Sequence, residues 1–156
     1  MKSIKQALLI PAAALLFAGN VQADDTMELS QMDRVLEHAS AYGFMQYEEI
    51  EAESRGRVEV EGWLDDEWNA DVRFDMESGD TLREKRERLV TGAWGMSDSD
   101  IRQALDIAQA EGMTALESIN IEANGMIEVE GQDANGREFE INLRQGSDQV
   151  SYIERD

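Results

Sequence analysis

The chain contains no cysteine, one proline (Pro11) and one histidine (His38). The absence of cysteine excludes a disulfide framework, a thiolate nucleophile and the cysteine ligands on which structural zinc sites rely. A lone histidine leaves nucleophilic catalysis a single candidate base of the usual kind. His38 sits between Glu37 and Ala39 in a segment of helical periodicity, and its counterpart in the internal repeat described below is Ile107, which marks a packing or boundary position. No catalytic residue, metal site or cofactor is therefore expected. Lysine is nearly missing as well: Lys2, Lys5 and Lys85 are the only three. No glycine-rich phosphate loop follows a strand pattern, and no basic patch is interleaved with aromatics, so nucleotide and nucleic acid are not expected ligands.

Acid is what the chain has in excess. The sequence carries 34 acidic and 14 basic residues, a net charge of −20. Phosphate binding needs a basic surface, and an anionic membrane would repel this one. A basic protein, a basic peptide or cations would be attracted, over a screening length of about 8–10 Å at physiological ionic strength. An acid-rich, lysine-poor surface also suits high salt, where self-repulsion is screened; the two explanations are compatible. On the second, the melting temperature rises with salt from low to moderate concentration.

The front of the chain reads as a secretory signal. Lys2 and Lys5 precede an apolar run over 7–19, and Asn20-Val21-Gln22-Ala23 places small residues before Asp24-Asp25, with cleavage expected after Ala23. The alternative, an uncleaved anchor, has only 13 apolar residues where roughly 20 are needed to cross a bilayer. Cleavage removes two lysines and no acid, leaving 34 acids against 12 bases, a net of −22. The expectation is a periplasmic protein with no membrane insertion after cleavage.

Shifted by 69 residues, the sequence matches itself. Leu36, Ala39, Ala41 and Gly43 fall on Leu105, Ala108, Ala110 and Gly112; Glu48, Ile50, Glu53 and Gly56 fall on Glu117, Ile119, Glu122 and Gly125. Val58-Glu59-Val60-Glu61-Gly62 falls on Ile127-Glu128-Val129-Glu130-Gly131. In each copy a helix comes first, with Ser30 and Ser99 as N-caps, apolar residues at helical spacing, and Gly43 or Gly112 at its end. Alternating strands follow, and Asn135-Gly136 gives the second copy a hairpin signal. The fold class predicted is α+β: two tandem repeats, each one helix packed on a small antiparallel sheet. The boundaries are 1–23 signal, 24–89 first unit, 90–97 linker and 98–156 second unit. Units of this size are marginal alone, so the two are expected to pack together, with Trp94 buried between or beside them.

This layout resembles the PepSY family. Gly136-Arg137-Glu138-Phe139-Glu140-Ile141-Asn142-Leu143 is similar to the family's central segment of a glycine followed by an alternating strand. Gln145-Gly146-Ser147-Asp148-Gln149-Val150, and Glu77-Ser78-Gly79-Asp80-Thr81-Leu82 in the first copy, stand where the family has an acidic turn before its last strand. Neither copy carries the Asp-x-x-Thr-Gly sequence of many members. The resemblance implies a non-catalytic module that binds or restrains a protein partner, commonly a peptidase, and it carries over no catalytic residue.

The expected contact surface is the acidic outer sheet face, with Glu59, Glu61, Glu128 and Glu130. If the alternation from Val58 continues, Trp63 joins that face and would be an exposed interface anchor; if the strand bends at Gly62, Trp63 returns to the core. The second functional reading is an acidic binder of divalent cations or small cationic solutes. Asp133-Ala134-Asn135-Gly136 resembles part of a calcium loop, but the other ligands of such loops are missing and a hairpin turn accounts for it.

Overall fold

The computed structural model describes residues 25–156, and the expected signal segment lies outside them. Nine strands form one antiparallel sheet: β1 (Met27–Glu28), β2 (Gln46–Glu53), β3 (Arg57–Trp63), β4 (Trp68–Asp75), β5 (Thr81–Arg88), β6 (Met113–Ile121), β7 (Met126–Asp133), β8 (Glu138–Arg144) and β9 (Val150–Arg155). Two helices accompany them, α1 (Met32–Tyr42) and α2 (Asp98–Glu111). The sheet order is β5-β4-β3-β2-β6-β7-β8-β9, with β1 paired to β6 beside this path.

The predicted pair of separate helix-on-sheet units is therefore incorrect, and the reason lies at the centre of the sheet. β2 and β6 are antiparallel neighbours, with Glu49, Ile50 and Glu51 opposite Asn120, Ile119 and Ser118. The segments preceding the two helices are exchanged across this junction. Met27, ahead of α1, opposes Leu116 on β6. Met96, ahead of α2, opposes Tyr47 on β2, with backbone hydrogen bonds of 2.8 and 2.6 Å. Met96 lies within the expected linker 90–97 and is fully buried. One contiguous core collects Val35, Leu36 and Ala39 of α1, Ile101, Ala104 and Ala108 of α2, and inward residues of the strands, among them Val58, Val72, Ile119, Val129 and Ile141. Trp94 is half-buried against it.

Local sequence explains the elements. In β3 and β7 the residues Val58, Val60, Ile127 and Val129 are buried, while Glu59, Glu61, Glu128 and Glu130 between them remain half-exposed. A β-bulge breaks the alternation of β2, so Glu48 and Glu49 both leave the core while Tyr47 and Ile50 enter it. Gly62 and Gly131 sit where the neighbouring strand crosses closely: an added Cβ would lie 2.1 Å from the carbonyl oxygen of Gln46 or Ala115. The N-cap of α2 is Ser97 rather than Ser99; its Oγ accepts from Asp100 N at 3.2 Å, and Ser97 N donates to Asp100 Oδ2 at 2.9 Å. Ser30 is not a cap either, since it lies in a 3-10 turn, Leu29–Gln31, leading into α1.

Candidate functional site

The helices cover one face of the sheet, and the other carries the outward residues of every long strand. Glu59, Glu61, Glu128 and Glu130 all stand there, as expected, but in two different settings.

On the β2–β5 side the carboxylates are interleaved with arginines. Glu59 lies opposite Arg73, whose Nη2 donates to Glu59 Oε2 at 2.7 Å and also to Glu53. Arg83 pairs with Asp71 at 2.8 Å and with Glu59 at 3.5 Å. Glu53, Arg73, Glu59, Arg83 and Asp71 thus form one alternating chain of charge. Glu61 stands beside it, its pKa raised first by partial burial and then by Asp71, with Lys85 acting in the opposite sense.

On the β6–β9 side the registers repeat and the cations do not. Glu128 faces Asn142 where Glu59 faces Arg73, and Glu130 faces Glu140 where Glu61 faces Asp71. One oxygen each of Glu128, Glu130 and Glu140 lies within 4.8 Å of the others. Their partners are neutral: Asn142 Nδ2 donates to Glu140 at 2.6 Å and Asn120 Nδ2 to Glu128 at 3.4 Å. Burial, a hydrogen bond shared with Glu128, and repulsion from Glu128, Glu117 and Glu140 push the Glu130 carboxyl up to about 7. Tyr152 stands opposite Asn142, half-exposed, with its hydroxyl donating to Glu154 at 2.5 Å.

Trp63 cannot be the exposed anchor, because it is fully buried. It nevertheless keeps the register of the polar face, opposite Asn69, and stands apart from the contiguous core. Its indole N–H donates to Glu48 Oε1, which also accepts from Asn69 Nδ2 at 3.0 Å. Glu48, brought outward by the bulge, therefore caps the ring. The sequence reading missed Glu140 and Tyr152. Glu140 was within reach of it, since period-2 alternation across the Asn135-Gly136 turn sets it opposite Glu130.

Asp133 serves its turn: Oδ1 accepts from Asn135 N at 2.7 Å and Oδ2 from Arg137 Nε at 2.8 Å, and the arginine holds the carboxyl down at about 2. His38 Nε2 lies 3.2 Å from the Met76 carbonyl, packing α1 onto the turn after β4. Among the described residues no helix is long and apolar enough to cross a membrane.

No family model matches the chain, and no curated protein matches it. Among solved structures it is similar to a protein of Clostridium difficile 630 described as a "putative lipoprotein", at 19% identity and a TM-score of 0.49, over 80% of this chain and 91% of that one.

Proposed function

We propose that this is an exported, periplasmic, non-catalytic binding module that recognises a cationic surface of a protein partner through the β6–β9 part of its open sheet face. Such a module would modulate an envelope protein, a peptidase in the reading that the PepSY resemblance implies. The observation that carries the proposal is the trio Glu128, Glu130 and Glu140, crowded together with neutral donors where the other half of the sheet has arginines. Carboxylates partly withdrawn from water and short of counter-charge gain most from an incoming lysine or arginine. Tyr152 adds an exposed ring beside them, able to stack on a guanidinium.

The test is capture from envelope extract at native salinity, with the chain 24–156 compared against Glu128→Gln/Glu130→Gln/Glu140→Gln. A basic partner held by the parent and released by the variant supports the reading. Equal capture by both would overturn it.

The same trio favours a second reading, binding of a divalent cation, because its oxygens are close enough to share one ion. Calorimetric titration with calcium at fixed ionic strength separates the two. Saturable binding by the parent alone, with no protein captured, replaces the first reading with the second.

A further inference from the structure

Cations are far outnumbered by acids on this molecule, 14 against 34, and among the described residues the structure leaves two of them without a partner at one place. Of the twelve basic residues from Arg34 onward, nine are ion-paired with carboxylates: Arg57, Arg73, Arg83, Lys85, Arg86, Arg88, Arg102, Arg137 and Arg155. Arg144 donates to the Asn124 carbonyl at 3.3 Å. Among the described residues, the side chains of Arg34 and Arg55 have neither kind of partner, although acids are in large excess. Both line a single cavity of about 240 Å³, at the end of the sheet where α1 meets the β2–β3 and β4–β5 turns. Met76 N donates to the Gly56 carbonyl at 2.9 Å, which locks the two turns together beneath it.

The backbone at Arg55 points the same way. Arg55 is the one non-glycine among the described residues at positive φ, at 66°. A residue with a Cβ pays for that conformation, and asparagine or glycine is its usual occupant. The corresponding turn of the other half, 123–125, has Asn124 at the equivalent position without positive φ.

We propose that Arg34 and Arg55 form a binding site for a single carboxylate whose carrier also offers an N–H donor: a free amino acid or the C-terminal residue of a peptide. A guanidinium pair suits a carboxylate by bidentate hydrogen bonding. The other walls fix the charge of the ligand. Asp75 and Glu77 also line the cavity, so the walls sum to zero and a multiply charged anion is disfavoured. Asp75 Oδ1 is already engaged by Ser78 N at 2.8 Å, Ser78 Oγ at 3.1 Å and Glu77 N at 3.1 Å, whereas the exposed Glu77 can accept from the ligand's N–H. The site is independent of the acidic face and of the partner proposed for it.

The test is an amide chemical-shift titration of the chain 24–156 with L-alanine, N-acetyl-dialanine and N-acetyl-dialanine amide at fixed ionic strength. Saturable shifts at Gly56, Met76 and Glu77 are expected with at least one of the two free carboxylates, and binding about tenfold weaker or worse for the amide. Response to alanine alone marks a free amino acid as the ligand, and response to N-acetyl-dialanine marks a peptide terminus. Arg34→Gln and Arg55→Asn should each weaken binding at least about tenfold. Arg55→Asn should also melt no lower than the parent, since asparagine tolerates the turn better, which separates loss of binding from loss of fold. The proposal is overturned if neither carboxylate gives saturable shifts, if acid and amide respond equally, or if both variants bind like the parent.

Discussion

The hairpin β3–β4 and the hairpin β7–β8 put glutamates at matching registers on the same face of one sheet, and they neutralise them in opposite ways. In the first, Arg73 stands between Glu53 and Glu59, and Arg83 continues the alternation to Asp71. In the second, Asn142 and Tyr152 occupy the ladder positions that Arg73 and Arg83 hold; Glu128 and Glu140 are left with amide donors, and the Tyr152 hydroxyl goes to Glu154. The glutamates are half-exposed on both sides, and what differs between them is the counter-charge. In the first half Glu53, Glu59 and Asp71 have arginine partners, while the pKa values of Glu49, Glu51 and Glu61 are raised by burial and neighbouring carboxylates. On the reading proposed above, the second gains from a proton, a cation or a basic partner.

The largest effect comes from parting the halves. Because Met27 is paired into one side of the sheet and Met96 into the other, neither 24–89 nor 90–156 should give a cooperative melt alone, while the intact 24–156 does. Circular-dichroism melts of the three chains check this, and a half that melts as the whole does would break the picture of one core. Next comes a large buried side chain that the halves do not share. Trp63 is fully buried and its repeat counterpart is the half-buried Gln132, so Trp63→Ala should cost about 3–5 kcal/mol in urea unfolding and Gln132→Ala under about 1.

That asymmetry shows where the sequence was legible. Alternation in 57–63 and 126–133 assigned each glutamate to the open face, and the glycines at 43 and 112 do end helices. For Trp63 alternation left two positions open, and the ring keeps the register of the polar side while being fully buried. The bulge after Tyr47 lifts Glu48 over the ring, and a one-residue register change is invisible to a period-2 pattern. Union of the halves into one sheet was hidden for a related reason. A repeat specifies what each copy contains but not which edges meet, and the β2–β6 contact rests on three residue pairs without a distinctive side chain. The clustering of Glu140 with Glu128 and Glu130 needed the hairpin register rather than composition, because glutamate is common everywhere in this chain.

The comparison sharpens if a cation is moved from one half to the other. Arg73→Gln leaves Glu53 only the longer pair with Arg57 and Glu59 only the longer pair with Arg83, and the melting temperature should fall by a few degrees. Asn142→Arg places the missing cation opposite Glu128 and should stabilise the fold by about 0.5–1 kcal/mol. It should also compete with any basic partner, so a variant that is both more stable and weaker in capture would tie the two properties to one set of carboxylates. If Asn142→Arg left stability and capture unchanged, the lack of counter-charge would be irrelevant to both.

The smallest effect is the proton itself. Glu130 is raised in the folded protein to about 7 from an ordinary 4.5, first by burial and then by Glu128, so between those values the folded state holds a proton that the unfolded chain has released. Stability from this group is therefore greatest at the acidic end of that window and declines as pH rises to about 7, beyond which it is level. Because Glu130 is only half-buried, solvent screening keeps the difference to no more than about 1 kcal/mol. Glu130→Gln removes the charge that must be held near Glu128, Glu117 and Glu140. It should be more stable than the parent at pH 8, converge with it near pH 5, and show a flatter profile between them. Urea unfolding at the two pH values decides the matter: a variant equally stable or weaker at pH 8 would mean that the trio does not repel, and that the second half needs no partner to complete it.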